Sequence, residues 1–340
     1  MRFTDPDQAG AWISDLGALA GALSDTPYLL LDLRDSCAAV PDGLALWLPT
    51  LPCPVIGIGP EHGSEHGLGA ACDAYVATAD DAALLIDNIG RFPLASTVLV
   101  QVLRSVEALP LHAALAVESL AYGCLQQGAE FRAWLAARAP APAPAVEAGA
   151  AVEITRDEAC VTLELNRPLQ RNAMSVEMRD ALVEALQWIR ADDSVQHVRL
   201  RARGRCFSTG GELAEFGTAP DSATAHRVRS LALPGRELAL CGGRVEVEVH
   251  GACIGSGIEF PAFAADIAAH PNSFFQLPEL RYGLIPGAGG CVSISRRIGR
   301  QRCAWMVLSG RRIPASRALQ WGLVDRLIGA GRDEPRLPNI

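Results

Sequence analysis

Lysine is absent from this 340-residue chain, so all 30 basic residues are arginines. A lysine Schiff base or lysine general base is therefore excluded. Any phosphate or carboxylate on a partner must be held by arginine, by backbone amides or by helix N-termini.

Paired cysteines are also missing, because the ten cysteines occur singly and no CxxC motif is present. This spacing disfavours a structural zinc site, and a chain of this length does not need a disulfide framework. We expect no metal, no redox cofactor and a reduced, cytoplasmic protein.

No apolar run approaches the ~20 residues that a membrane helix requires. The N-terminal MRFTDPDQAG lacks the apolar segment of a secretory signal. The formal net charge of −8 disfavours nucleic-acid binding. The sequence therefore predicts neither a membrane partner nor a nucleic-acid partner.

An Ala-Pro tract divides the chain and predicts two domains. We expect an N-terminal α/β domain at 1–137, a linker at 138–150 and a second domain at 151–340. In the second, VTLEL alternates as a half-buried strand does, and SVEMRDALVEALQWIRADD predicts a helix capped by Ser175. IEFPAFAAD predicts a further helix. The order of strands and helices indicates an α/β fold.

Two glycine-rich turns stand out, FSTGGEL at 207–213 and IGSGIEF at 254–260, each after a predicted strand and before a predicted helix. Such turns present backbone N–H groups beside a helix N-terminus. One turn alone is weak support for a site, and the pattern is not that of a dinucleotide fingerprint. Two such turns in one domain could direct two N–H groups at one oxygen atom.

Two glutamates accompany these turns, Glu259 two residues after Gly257 of the second turn and Glu279 before PGAGG. Each alone is explained as an ordinary first-turn acid of a helix. Two carboxylates near a pair of amide donors can instead act as an acid and a base, because burial and mutual repulsion separate their pKa values.

Five segments resemble the crotonase superfamily, the enoyl-CoA hydratase/isomerase fold, over about residues 152–328. They are LNRPLQRNAMS, RGRCFSTGGEL, HGACIGSGIEF, FFQLPELRYGLIPGAGG and LSGRRIPASRALQWGLVDRLI. The resemblance implies a crotonase-like spiral of ββα units. It also implies an oxyanion hole at the amides of Gly211 and Ser256.

By the same resemblance, Glu259 would activate water and Glu279 would exchange a proton at Cα. The loop of Arg171, Asn172 and Ala173, together with Thr209 and Gly210, would contact coenzyme A. Arg171 is equally well explained as a solvated surface arginine. The chain departs from the family pattern at Gly211-Glu212 and at Ser256, where the family more often has other residues.

The N-terminal part resembles the helices that normally end this family, most closely in HAALAVESLAYGCLQQGAEFRAWL. We expect these helices to replace the usual C-terminal helical region. Residues 25–137 are interpreted as a degenerate crotonase-like half, with an unrelated small α/β domain as the alternative.

The function expected from the resemblance is hydration of an enoyl-CoA without any cofactor beyond the coenzyme A of the substrate. The alternative enzymatic function is that of an isomerase or a biosynthetic lyase acting on a CoA or carrier-protein thioester. The non-enzymatic alternative is a scaffold subunit without catalytic activity. A homo-oligomer, a trimer or hexamer, is expected.

Overall fold

The computed structural model describes residues 4–11, 13, 26–34, 42–60, 67–139 and 147–329. The chain divides into two compact units that interleave along the sequence. The first takes Met1–Ala143, Glu212–Leu233 and Gln276–Arg312, and the second takes Pro144–Gly211, Pro234–Phe275 and Ile313–Ile340. The sequence predicted a linear division at 138–150 instead. Residues 140–146 of that tract lie outside the described residues.

Three parallel strands form the sheet of the first unit, in the order β1-β2-β3. They are β1 (Leu29–Asp32), β2 (Val55–Ile58) and β3 (Ala74–Val76). Every residue of β2 is buried, as is usual for a parallel strand covered on both faces.

Helices account for most of the rest of the first unit. They are α1 (Pro6–Ala11), α2 (Leu44–Trp47), α3 (Gly67–Ala71), α4 (Ala79–Arg91), α5 (Pro93–Val106), α6 (Leu111–Gln126), α7 (Ala129–Ala137), α9 (Ser222–Leu231), α12 (Gly290–Ile298) and α13 (Arg300–Ser309). The predicted helical segment of the N-terminal part thus forms α5, α6 and α7. The interpretation of 25–137 as a degenerate half stays a prediction, and residues 35–41 and 61–66 within it lie outside the described residues.

A six-stranded sheet in the order β12-β9-β7-β6-β5-β4 forms the frame of the second unit. Its strands are β4 (Val152–Asp157), β5 (Cys160–Leu165), β6 (His197–Ala202), β7 (Val245–Val249), β9 (Asp266–Ala269) and β12 (Arg326–Leu327). The hairpin of β4 and β5 is antiparallel, and the other neighbours run parallel. Val161, Leu163 and Leu165 are buried on alternate positions of β5, as the VTLEL pattern predicts.

Shorter elements complete the described part of the chain that follows the Ala-Pro tract. A second sheet, in the order β11-β10-β8, contains β8 (Ala252–Ile254), β10 (Phe274–Gln276) and β11 (Ile313–Pro314). The helices are α8 (Val176–Ala191), α10 (Pro234–Leu240), α11 (Ser256–Glu259) and α14 (Ala315–Trp321). The predicted cap of α8 is confirmed, because the Ser175 hydroxyl accepts a hydrogen bond from the Met178 N–H at 3.2 Å.

Two predicted helices after the glycine turns are wrong in extent. IEFPAFAAD does not continue as one helix: α11 ends at Glu259, a 3₁₀ turn covers Pro261–Phe263, and Asp266 already belongs to β9. Proline lacks the N–H that would continue the helical ladder. After the first turn, the helix is a single 3₁₀ turn, Leu213–Glu215, whose Ala214 N–H donates to the Glu212 carboxylate at 3.0 Å.

Within the described ranges, no single helix is long and apolar enough to cross a membrane. Helices α4 and α5 meet the length and composition criteria only as a pair, bent by 111°.

Candidate active site

Residues 207–211 of the first glycine-rich turn lie beside the second turn in the second unit. Ser208 of the first turn and Cys253, before the second, form a parallel bridge. The Ser208 N–H donates to the Ala252 carbonyl at 3.2 Å, and the Ile254 N–H donates to the Ser208 carbonyl at 3.1 Å. These bonds fix the register of one turn against the other.

Two glycines permit this approach. Gly210 has φ +91°, and a Cβ there would lie 2.8 Å from the Ile254 carbonyl oxygen. A Cβ on Gly257 would lie 2.6 Å from the Ser208 carbonyl oxygen. Any side chain at either position would push the turns apart, because real Cβ atoms do not approach backbone so closely.

The turns leave two amide groups as hydrogen-bond donors at the predicted positions. In the part of the chain that the structure describes, neither the Gly211 N–H nor the Ser256 N–H donates to a protein acceptor. Ser256 is the first residue of α11, where an N–H has no partner inside the helix. Both N–H groups are therefore available as hydrogen-bond donors.

Glu259 occupies the last position of α11, in the same unit as these amides. It is 2% exposed, and its N–H donates to the Gly255 carbonyl at 3.0 Å. Ser256 and Glu259 are three residues apart on one helical turn, so both side chains leave the helix on the same side. Gly211, Ser256 and Glu259 thus all belong to the second unit, and their joint role in a site stays a prediction.

Glu279 belongs to the first unit and begins the 3₁₀ helix Glu279–Tyr282. It is 8% exposed, and its carbonyl accepts a hydrogen bond from the Leu284 N–H at 3.2 Å. The predicted partner acid is therefore also buried.

The predicted coenzyme A loop is held by the side chain of Asn172, which is fully buried. Its Oδ1 accepts from the Arg167 N–H at 2.9 Å, and its Nδ2 donates to the carbonyls of Arg203 and Cys206 at 2.8 and 3.2 Å. Arg171 and Asn172 both have positive φ, 55° and 51°. An asparagine side chain tolerates this conformation because it bonds locally. Asn172 therefore shapes the loop through contacts within the protein.

The same loop is joined directly to the first glycine turn. The Thr209 N–H donates to the Arg171 carbonyl at 3.2 Å, and the Met174 N–H donates to the Gly210 carbonyl at 2.8 Å. Ala173 is buried, whereas the Arg171 side chain is exposed. The five residues predicted to contact coenzyme A thus lie on two segments whose backbones are hydrogen-bonded to each other.

Ser208 is a residue of this site that the sequence analysis missed. Its hydroxyl donates to the Asn172 carbonyl at 2.7 Å and accepts from the Gly210 N–H at 3.2 Å. A serine two residues before a glycine is a known turn-forming signal, so the residue could have been found. Its link to Asn172 required the tertiary structure.

Two thiols beside the turns are expected to be unreactive. Cys206 and Cys253 are buried, and burial raises the pKa of both thiols. They stay protonated at neutral pH and are poor nucleophiles. Among the described residues, no three His, Cys, Asp or Glu side chains are grouped to bind a metal ion.

Comparison with known proteins gives a family match over this region. The model of the family "Enoyl-CoA hydratase/isomerase" matches residues 155–332, just over half of the chain. A 2,3-dehydroadipyl-CoA hydratase of Escherichia coli (strain K12) is 32% identical over 171 residues, which cover 50% of this chain and 66% of the relative. A trans-2-decenoyl-(acyl-carrier-protein) isomerase of Streptococcus mutans is 30% identical over 174 residues, 49% of this chain and 65% of the relative.

Among solved structures, an enoyl-CoA hydratase from Thermoplasma volcanium GSS1 is similar at 26% identity and a TM-score of 0.49. The match covers 53% of this chain and 72% of that one. The chain spans less than two thirds of the length of the two curated relatives named above. The family match and the ordered motifs together show that the chain belongs to the enoyl-CoA hydratase/isomerase family of the crotonase superfamily.

Proposed function

We propose that this protein adds water across the double bond of an enoyl-CoA thioester. The observation that supports this most is the pair of available amides at Gly211 and Ser256 in the same unit as the buried Glu259. Relatives named as hydratases of acyl-CoA substrates support the same reaction class.

The two amides would form the oxyanion hole. The thioester carbonyl oxygen would accept a hydrogen bond from each N–H, and both bonds would strengthen as the oxygen gains charge in the enolate. Donors fixed before the reaction stabilise such charge because they need no reorganisation. The glycines that let the turns approach each other would thus allow the two amides to stabilise the charge of the enolate oxygen.

The two glutamates would carry the protons. Glu259 would take a proton from water as its oxygen attacks Cβ, and Glu279 would give a proton to Cα of the enolate. The elements of water then lie on one face of the former double bond. Exchange of one proton with solvent would restore both side chains, so no further reactant is needed.

The coenzyme A part of the substrate would lie along the loop of Arg171, Asn172 and Ala173 and the residues Thr209 and Gly210. The exposed Arg171 side chain is the candidate partner for a phosphate, since one guanidinium group can donate hydrogen bonds to two phosphate oxygens at once. A carrier-protein thioester presents the same carbonyl. We further propose a cytoplasmic homo-oligomer, a trimer or hexamer.

An isomerase is the second candidate, because relatives include a trans-2-decenoyl-(acyl-carrier-protein) isomerase and a 1,2-epoxyphenylacetyl-CoA isomerase. Moving a double bond needs the oxyanion hole and proton transfer, but no water at Cβ. Retention of both glutamates favours hydration.

The test follows the loss of enoyl-thioester absorbance when the protein is mixed with crotonyl-CoA. We expect turnover by the natural protein and a loss of about 10²- to 10⁴-fold in both Glu259→Gln and Glu279→Gln, the range for removal of an acid or base. Glu184→Gln, an exposed position on α8, is the matched control and should keep full activity.

Three other outcomes would redirect the assignment. Full activity of either site variant would contradict the two-glutamate mechanism. Tight binding of the thioester without turnover would favour an isomerase or lyase acting on another acyl group. Absence of binding would favour a scaffold subunit.

A further inference from the structure

We propose that helices α6 and α7 of the N-terminal part position Glu279 for catalysis, with Trp134 and Glu118 as the main positioning residues. This inference rests on the proposed function, because it assigns a purpose to contacts around the proposed acid. All the contacts that support it lie within the first unit.

Helix α7 lies directly against the 3₁₀ helix that begins at Glu279. Gly283 ends that helix with φ +68°, and a Cβ on it would lie 2.6 Å from both Glu130 Cβ and the Phe131 amide nitrogen. The ring of Tyr282 lies 4.9 Å from that of Trp134, which in turn stacks on Phe131 at 5.6 Å. The C-terminal end of the Glu279 helix thus contacts the backbone of α7. The ring contact between Tyr282 and Trp134 holds one face of the same helix against α7.

Helix α6 holds the loop that follows. The Glu118 carboxylate is 2% exposed and accepts hydrogen bonds from the Gly289 and Cys291 N–H groups at 2.7 and 2.8 Å. The Tyr122 ring reaches Gly287, where a Cβ would lie 2.3 Å from the ring. Residues 279–291 are therefore anchored near both ends by helices from the N-terminal part.

Helix α6 also holds a second segment that follows the Ala-Pro tract, residues 212–233. The Ser119 hydroxyl accepts a hydrogen bond from Arg229 Nε at 2.9 Å and lies 2.9 Å from His226 Nδ1. The Arg229 guanidinium stacks over the Tyr122 ring at 4.8 Å. One side chain, Tyr122, thus contacts both segments.

These contacts matter because proton transfer depends on placement. A displacement of about 1 Å in a group that acts on substrate can cost ~10²-fold in rate. Glu279 itself sits on a short 3₁₀ helix, whose hydrogen bonds alone are weak. The packing of α6 and α7 is the rigid support that such a residue needs.

The first experiment compares Trp134→Leu with Trp134→Phe, which restores an aromatic ring, and with Trp188→Leu, a partly exposed tryptophan on α8 in the other unit. We expect Trp134→Leu to lower kcat for crotonyl-CoA by about 10- to 100-fold with KM changed less than about 3-fold. Trp134→Phe should recover most of the loss, and Trp188→Leu should show none. A rise in KM alone would mean direct contact with substrate and would overturn a positioning role.

The second experiment measures amide hydrogen exchange and is independent of turnover. In Trp134→Leu we expect faster exchange at 279–291, because the ring contact with Tyr282 is lost. In Glu118→Gln we expect the same, because glutamine replaces one acceptor oxygen by an amide group. Trp188→Leu should leave exchange there unchanged. Unchanged exchange in both variants would overturn the inference, even if turnover fell. If the natural protein shows no turnover, the proposed function fails, and the exchange result alone decides whether α6 and α7 anchor this segment.

Discussion

At the residue scale, single glycines decide whether the site can form. A methyl group on Gly257 would lie 2.6 Å from the Ser208 carbonyl oxygen and 2.9 Å from Ser208 Cβ. Both atoms belong to a bonded turn, so neither can move without separating the two amides. Ser208 itself is held by Asn172 through the bond from its hydroxyl.

We therefore expect Gly257→Ala to lower turnover of crotonyl-CoA about 10²-fold, the scale of losing one oxyanion donor. Gly90→Ala is the control, since Gly90 lies in α4 with open space around it. That change should leave turnover intact and stabilise the fold by up to ~1 kcal/mol. Turnover and thermal melting check both variants, and an unimpaired Gly257→Ala would refute the close approach.

At the element scale, one asparagine organises the predicted coenzyme A loop. Asn172 bonds the loop to its own start at Arg167 and to the strand end at Arg203 and Cys206. The loop also supplies the carbonyls that Thr209 and Ser208 use. A change in Asn172 should therefore reach both the loop and the first turn.

Asn172→Ala is expected to destabilise the protein by ~2–3 kcal/mol, because buried backbone groups lose their partners. It should also weaken binding of crotonyl-CoA about tenfold or more. Asn88→Ala removes a comparable bond to the Leu308 carbonyl and should cost stability without weakening binding. Urea unfolding and calorimetric titration separate these effects; equal affinity in both variants would contradict the role of the loop.

At the scale of the whole molecule, the first unit combines residues from both sides of the Ala-Pro tract. The buried Asp73 forms an ion pair with Arg104, and its carboxylate also lies 3.4 Å from Nη1 of Arg300, a residue that follows the Ala-Pro tract. Arg300 further donates to the Ala70 and Cys72 carbonyls at 2.8 and 2.9 Å. Both parts of the chain are needed to complete this unit.

A protease site inserted in the Ala-Pro tract should therefore leave the two fragments associated after cleavage. We expect them to elute together in native size-exclusion chromatography and to separate only in denaturant, with turnover retained. Cleavage of an unmodified protein sample under the same protease is the control. Fragments that elute apart would contradict the interleaved unit.

The local sequence determined the elements whose pattern is complete within a few residues. The alternation in VTLEL predicted β5, Ser175 predicted the start of α8, and the ordered glycine motifs predicted the family. These signals are local because side-chain alternation, helix capping and positive φ depend on neighbouring residues. The site residues Glu259 and Glu279 were chosen from sequence, and their roles stay predictions.

The tertiary structure alone decided which distant segments share a unit. The Glu118 carboxylate accepts hydrogen bonds from the amides of Gly289 and Cys291, and the Trp134 ring packs on Tyr282. Nothing in the sequence near Glu118 or Trp134 indicates these partners. The linear division into domains likewise followed composition, whereas the units follow contacts between residues more than 150 positions apart. Packing selects such partners by shape and by the need to satisfy buried polar groups, and neither is encoded within a short window of sequence.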